Sequence, residues 1–227
     1  MGATETTPDG RSSRWDEHRV ARREELVEAT LRAIRSHGAG VGMDEVAATA
    51  RTSKTVFYRH FTDRAGLYTA VAERVDATII RDLSRAAGDA APTDRRAVVR
   101  AVIAAYLRLV DEDPEVYRFI VHAPLVPPGE RPGGDVAAGM TDRIAAHVAD
   151  LVAGGLGGDH REEAGTASVA GSSSLWGVAL VGMVRATADA WLSAGGAATG
   201  PSSEQLADDL TALVWDGLST VGATARA

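Results

Sequence analysis

Hydrogen-bond donors of several kinds lie close together between positions 54 and 60 of the chain. They are the side chains of Lys54, Thr55, Tyr58, Arg59 and His60. Groups of this kind bind the phosphate oxygens and the base edges of a nucleic acid duplex. We expect the side chains at 54, 55, 58 and 60 to project from one surface that can enter a major groove. The chemistry they indicate is recognition of a polyanion.

The segment that must position these donors has the pattern of two short helices joined by a tight turn. It runs from Met43 to Phe61 with the sequence MDEVAATARTSKTVFYRHF. In its first half Val46, Ala47 and Ala50 share one helical face, which we expect to point inward. In the second half apolar residues alternate with the donors. The spacing predicts a helix-turn-helix.

The aromatic residues of the second helix have different predicted roles. Phe57 and Phe61 are expected to lie in the core, with Phe61 packed on the preceding long helix. Tyr58 has two interpretations, a contact with DNA or a core position. The arginines between positions 11 and 23 also have two, a contact with DNA or a solvated face, because acidic residues are interleaved with them.

A family resemblance becomes specific just beyond this segment. Asp63 is a candidate helix N-cap, and it is followed by Arg64 and Leu67. The stretch Thr52 to Phe61, together with Asp63-Arg64-x-x-Leu67, resembles the DNA-binding domain of the tetracycline-repressor (TetR) family over roughly residues 19–80. Relatives usually have glycine where this chain has Arg51. A left-handed backbone there would cost a non-glycine residue about 1–2 kcal/mol.

The resemblance implies a DNA-binding regulator, more often a repressor, that binds a palindromic operator as a homodimer. Two recognition helices held about 34–36 Å apart would read the matching half-sites. A small-molecule effector in the helical domain would move the helix after Arg64 and release the double-stranded DNA. The candidate DNA-binding residues are Met43, Arg51, Ser53, Lys54, Thr55, Tyr58, Arg59, His60 and Arg64, with Arg14 and Arg19 from the preceding segment of the chain.

Charge is unevenly distributed along the chain. The 227 residues carry a net charge of −7. Residues 1–64 hold 11 Lys and Arg against 10 Asp and Glu, whereas the remainder holds 13 against 21. We therefore expect any polyanion to bind the first segment.

Composition also indicates the compartment and excludes some chemistry. The chain has no cysteine, which excludes disulfides, thiolate metal sites and cysteine nucleophiles. Its first thirteen residues have no apolar core of the kind a secretory signal needs, and no uninterrupted apolar run reaches about 18 residues. We expect a cytoplasmic protein with no membrane partner.

The hydrophobic periodicity predicts an all-α fold of about nine helices and no strand. The domains expected are a disordered arm over 1–15, a three-helix DNA-binding domain over 16–64, and a larger effector-binding and dimerisation domain over 65–227. Outside the helix-turn-helix, the predicted helices span about 16–37, 64–87, 95–110, 114–122, 135–153 and 161–194, with a last one starting at Ser202 in a capping box with Gln205. Residues 124–134, rich in proline and glycine, are predicted to form a loop.

The larger domain offers candidates for two further surfaces. A mostly apolar effector is expected between helices, and its candidate contacts are Tyr106, Tyr117, Phe119, His122, His147, Trp176 and Met183. The resemblance implies that the last two long helices pair with those of a second copy. The candidate interface residues are Val178, Leu206, Leu210, Leu213 and Leu218.

Catalytic and cofactor patterns are not indicated. The run Asp159 to Glu163 places a histidine beside carboxylates without the spacing of a metal-binding helix, and a solvated helix start explains it better. The glycines at 154–158 follow a helix, so they do not form a dinucleotide fingerprint. We expect no enzyme activity, no metal and no cofactor. The alternative function is a helical ligand-binding or scaffold protein whose helix-turn-helix no longer binds DNA.

Overall fold

The computed structural model describes residues 10–91, 94–122, 136–154 and 166–224, and the side chains of 17–91, 94–121, 139–152 and 175–215. These residues form helices and contain no strand, which confirms the predicted all-α fold. The helices are α1 Gly10–His37, α2 Met43–Thr49, α3 Lys54–Phe61, α4 Arg64–Asp89, α5 Arg95–Glu112, α6 Pro114–His122, α7 Val136–Gly154, α8 Thr166–Ser193 and α9 Ser203–Thr224.

The first three helices form a small unit whose core continues into α4. Leu26 and Ile34 of α1, Val46 of α2 and Phe57 of α3 are all buried, and they pack in one cluster with Leu67 of α4. Burial of large apolar side chains of this kind is the main favourable term in such a small unit. The cluster fixes α3 against α1 and α4.

The remaining helices pack around α5. Its buried face contacts α4 on one side and α9 on the other, and α7 pairs with α8. A surface ion-pair group holds α9 in place, because the guanidinium of Arg100 binds Asp208 at 2.5 Å and Glu204 at 3.0 Å. One apolar cluster spans the small unit and α4 to α7, and a second joins α5, α8 and α9.

Two predicted helix starts have the expected caps. The carboxylate of Asp63 accepts a hydrogen bond of 2.7 Å from the backbone N–H of Gly66 at the start of α4. At α9 the Ser202 hydroxyl accepts from the Gln205 N–H at 3.2 Å, and the Gln205 side chain accepts from the Ser202 N–H at 2.9 Å. The reciprocal pair satisfies two backbone donors that the helix leaves unpaired.

Several helix boundaries differ from the predictions. Helix α1 is described from Gly10 onward and not from residue 16, so residues 10–15 of the expected disordered arm are helical. Helix α8 is described from Thr166 onward, and residues 161–165 of its predicted span lie outside the described residues. The rest of the arm, the loop over 124–134, the glycines at 155–158 and the run 159–163 lie outside the described residues.

The turn between α2 and α3 has a left-handed residue. Arg51 has φ of 51°. Its N–H donates to Ala48 O, and the Thr52 N–H donates to Ala47 O, both at 3.0 Å. This pair of bonds defines a Schellman motif, in which glycine usually occupies the left-handed position. The structure therefore has the backbone that the glycine of relatives would favour, with arginine in its place.

Candidate nucleic-acid interface

Helix α3 has one face in the core and one in solvent. The Phe57 and Phe61 side chains are 1% and 4% exposed, and their ring centroids are 6.1 Å apart. Lys54, Thr55 and Arg59 are exposed on the other side, and the Tyr58 side chain is 38% exposed. The helix therefore presents donors and one aromatic ring to solvent while two phenylalanines anchor it.

The other candidate DNA-binding residues do not all lie on this surface. Ser53 precedes α3, Arg51 lies in the turn and Arg64 begins α4, and all three are exposed. Met43 is only 2% exposed and belongs to the apolar cluster, so its assignment to the DNA surface was wrong. An apolar side chain in the first turn of α2 gains more from burial than from a polar contact. The Arg14 side chain lies outside the described residues.

Basic residues of α1 lie next to the end of α3. The Arg23 guanidinium stands over the Phe61 ring, 4.9 Å from its centroid, and this geometry allows a cation–π interaction. His60 is half-buried in the same place. Burial lowers the pKa of His60, and the positive charges of Arg59, Arg22, Arg19 and Arg23 lower it further. Positive potential therefore accumulates where α1 meets α3.

Lys54 already has an anionic partner in the free protein. Its Nζ lies 2.8 Å from Oδ1 of Asp44, a residue in the first turn of α2. The hydrogen bond with Asp44, together with the carboxylate charge, raises the pKa of Lys54. The sequence pattern did not predict this pair, although both residues belong to the helix-turn-helix segment.

The junction between α3 and α4 is tight and strained. Thr62 has φ of 69° and ψ of −55°, and the Asp63 N–H donates to Phe61 O at 2.8 Å. These values describe a γ-turn of the rare, strained type. A Cβ at Gly66 would overlap the carbonyl oxygen of Phe61. Gly66 therefore allows α4 to start close to the end of α3. No sequence pattern indicated this residue.

Polar contacts hold α6, and Asp113 just before it, against three other parts of the chain. Arg35 of α1 binds Asp113 through two hydrogen bonds of 2.8 Å. The Ala39 N–H donates to the Glu115 carboxylate at 2.8 Å, and the Tyr68 hydroxyl donates to the Ile120 carbonyl oxygen at 2.7 Å. Helix α6 is thus fixed to α1, to the loop that follows it, and to α4.

A small apolar cavity lies between α4, α5, α7 and α8. Its volume is about 20 Å³, and its lining is aliphatic except for Tyr106. The lining residues are Leu83, Val102, Ile103, Tyr106, Ile144, Val148, Leu180, Val181 and Val184. Burial raises the pKa of Tyr106 to about 12.

Most other candidate effector residues are placed elsewhere. Phe119 is fully buried and packs on Tyr68, with ring centroids 5.7 Å apart. The hydroxyl of Tyr117 donates to Asp189 at 2.7 Å, and it is also hydrogen-bonded to Tyr106. The His147 ring bonds the Ser84 hydroxyl at 2.8 Å.

The last three effector candidates are not placed in the cavity wall either. The Trp176 side chain is 50% exposed on α8 and is not among the residues that line the cavity. Met183 packs against the cluster of α5, α8 and α9. The side chain of His122 lies outside the described residues.

The candidate interface residues divide between core and surface. Leu210 is buried and Leu206 is partly buried, and both belong to the protomer's own cluster with α5. Leu213 and Val178 are exposed by 63% and 49%. Leu175 and Trp176, which precede Val178 on α8, are exposed as well. The side chain of Leu218 lies outside the described residues.

Comparisons with known proteins cover nearly the whole chain. Residues 26–71 match the family described as bacterial regulatory proteins, tetR family, and residues 83–227 match the tetracyclin repressor-like C-terminal domain. The chain belongs to the TetR family of transcriptional regulators. It is 35% identical over 211 residues to an uncharacterized HTH-type transcriptional regulator of Mycobacterium tuberculosis. The aligned region covers 92% of this chain and 82% of that relative.

Solved structures of the TetR family share the fold. A tetR-family regulator from Streptomyces coelicolor superimposes with a TM-score of 0.68 at 18% identity, covering 92% of this chain and 83% of that one. The TetR family repressor AlkX from Dietzia, implicated in biodegradation of n-alkanes, gives a TM-score of 0.56 at 18% identity, covering 87% and 95%. At these identities the likeness is one of fold alone.

One segment of this TetR-family regulator has the length and composition of a membrane span. It is Leu175–Ser193 of α8. Core helices of soluble proteins meet the same criterion, and α8 packs on α7 through a close approach at Gly177, where a Cβ would lie 2.8 Å from that of Ala149. By itself the pattern is weak evidence for a membrane.

Proposed function

We propose that this TetR-family regulator binds a palindromic operator as a homodimer and represses transcription until a small, largely apolar effector releases it. The observation that carries the proposal is the division of α3. Phe57 and Phe61 fix the helix in the core, so that Lys54, Tyr58 and Arg59 face solvent together. A helix presented in this way fits a major groove.

Positive groups around α3 favour binding of a polyanion such as a duplex. Arg19, Arg22 and Arg23 of α1 lie near His60, close enough to lower its pKa. Arg64 is exposed at the first turn of α4, where unpaired backbone N–H groups also favour a phosphate. The two sites flank the exposed face of α3 and would contact the phosphate backbone on either side of the groove.

Homodimerisation is proposed from the apolar surface of α8 and α9. Leu175, Trp176, Val178 and Leu213 are large, apolar and exposed. Apolar groups of this size on a soluble protein mark an interaction surface when they are clustered. A second copy of the chain is the proposed occupant, since a palindrome requires two readers related by a twofold axis.

The effector is proposed to bind at the cavity between α4, α5, α7 and α8. A volume of about 20 Å³ has room for roughly one water molecule. A larger ligand must therefore push the lining helices apart. The lining of aliphatic side chains favours an apolar ligand, and the Tyr106 hydroxyl offers one polar group.

Helix α4 would connect effector binding to DNA release. It contributes Leu83 to the cavity, and it begins at Arg64, one short turn after the end of α3. Displacement of α4 by a ligand would move both recognition helices and change their spacing. Affinity for a palindrome falls when the spacing no longer matches the half-sites. We also propose a cytoplasmic location and no enzymatic role.

Selection of bound fragments from a library of random DNA duplexes tests the proposal. The expected result is a palindromic motif whose two halves are about 10 base pairs apart or a multiple of that. Arg59→Ala should abolish enrichment, whereas Arg81→Ala, an exposed arginine of α4, should not. Absence of any enriched motif would favour the alternative of a helical ligand-binding or scaffold protein.

A further inference from the structure

The single lysine of the chain is paired with a carboxylate at the edge of the proposed DNA surface. Lys54 Nζ lies 2.8 Å from Asp44 Oδ1, and the exposed fractions of the two side chains are 47% and 80%. Lys54 is the first residue of α3, and Asp44 is the second residue of α2. The pair therefore links the two helices of the motif on the side that faces solvent.

This arrangement places a negative charge where a phosphate must approach. An ammonium group has three donors, so a phosphate can bind Lys54 beside Asp44. The carboxylate would then repel the phosphate at short range, and the phosphate would have to compete for the ammonium group. We infer that Asp44 lowers the DNA affinity of this protein. Its carboxylate is an internal counter-ion of Lys54, and this ion pair is broken when DNA binds. The inference rests on the proposed function.

The structure provides a matched comparison in the same turn. Glu45 follows Asp44, carries the same charge and is also exposed. Its carboxylate oxygen lies against Gly42, 2.8 Å from where a Cβ of that residue would stand. Both acids interact favourably with the N-terminal end of α2, which attracts negative charge. Of the two acids, Asp44 is the one that bonds Lys54. Neutralising Asp44 therefore removes a charge and frees the lysine, whereas neutralising Glu45 only removes a charge.

The experiment measures the affinity of full-length variants for the DNA fragment that the wild-type protein selects. The variants are Asp44→Asn, Glu45→Gln, Lys54→Met and the double variant Asp44→Asn with Lys54→Met. Asp44→Asn should bind about two- to fivefold more tightly than wild type, the range expected for releasing an exposed ion pair. Glu45→Gln should gain less. The gain from Asp44→Asn should shrink in the Lys54→Met background, because only repulsion of the phosphate remains to be relieved.

Three results would overturn the inference. They are an unchanged or weaker affinity of Asp44→Asn, an equal gain from Glu45→Gln, and an equal gain from Asp44→Asn with and without Lys54. Asp44→Ser should also raise the DNA affinity. It is the control for a contact between DNA and the new amide of Asp44→Asn. If the wild-type protein selects no fragment, the proposed function itself fails, and the inference fails with it.

Discussion

Arg35 donates two parallel hydrogen bonds to Asp113, from Nε and from one terminal nitrogen, each 2.8 Å long. The bonds join the end of α1, in the helix-turn-helix unit, to the residue before α6, in the larger domain. Paired bonds between a guanidinium and a carboxylate fix orientation as well as distance. The hydrogen bond and the charge of Asp113 also raise the pKa of Arg35. The contact makes α6 a second connection between the domains, besides α4.

Asp113→Asn should loosen this connection without unfolding the protein. An amide cannot accept both hydrogen bonds, and the ion pair is lost, but the pair is partly exposed and contributes only about 0.5–1 kcal/mol. We expect faster amide hydrogen exchange at the end of α1 and in the loop that precedes α2. Asp111→Asn, at an exposed neighbouring position, is the control. Equal exchange in the two variants would show that Asp113 does not hold the domains together.

Gly66→Ala should destabilise the protein strongly. A Cβ at this position overlaps the Phe61 carbonyl oxygen, which is backbone and cannot move without shifting the end of α3. We expect a loss of about 2 kcal/mol or more in the free energy of unfolding, together with weaker DNA binding. Gly88→Ala in the same helix has open space and should be neutral or slightly stabilising. Denaturant unfolding of both variants measures the difference, and equal stabilities would contradict the account of this junction.

Arg51→Gly should stabilise the protein. Glycine adopts the left-handed backbone, here φ of 51°, without the steric cost that arginine incurs. Part of the gain is lost to the greater freedom of glycine in the unfolded chain, so we expect a net gain of about 0.5–1 kcal/mol. Arg51→Ala removes the charge and keeps the steric cost, so thermal unfolding should show no gain. Stabilisation by alanine as large as that by glycine would attribute the effect to charge.

DNA affinity should rise as the pH falls through the range in which His60 titrates. In the free protein, burial and then the nearby arginines hold the pKa of His60 below its usual value of about 6.5. Phosphates bound to those arginines would offset their repulsion and raise the pKa, so binding takes up a proton. Folding has the opposite dependence, because the lowered pKa means that stability declines as the pH falls below about 6.5.

Affinity measured between about pH 8 and pH 6 tests the proton uptake at His60. His60→Gln should flatten the pH dependence relative to wild type. His37→Gln, an exposed histidine at the end of α1, should not. The same slope in wild type and His60→Gln would show that another group takes up the proton.

The local parts of the fold were predictable from sequence, and the long-range contacts were not. The helix-turn-helix, the Asp63 cap and the Ser202–Gln205 capping box follow from residues no more than a few positions apart. Arg35 and Asp113 are separated by 78 positions, and no periodicity predicts that they meet. The first helix was predicted too short because Gly10, Ser12 and Ser13 have low helix propensity, although residues 10–15 are helical in the structure.

The errors at the candidate site have a common physical origin. Met43 was assigned to DNA from its position at the start of the motif, but its apolar side chain is buried. Lys54 and Asp44 were recognised only separately, since their contact depends on the angle between α2 and α3. The role of Gly66 could not be predicted from the types of the residues around it. Its role depends on the close approach of the Phe61 carbonyl, which only coordinates reveal.

The central claim is that the exposed face of α3 reads DNA, and a gel shift combined with light scattering tests it most directly. Lys54→Ala and Tyr58→Ala, made singly, should each weaken the specific retarded complex on the selected fragment, while light scattering still reports the oligomeric state of the wild-type protein. The Arg81→Ala protein serves as the control and should bind as wild type does. Retarded complexes of unchanged affinity in both α3 variants would contradict the account.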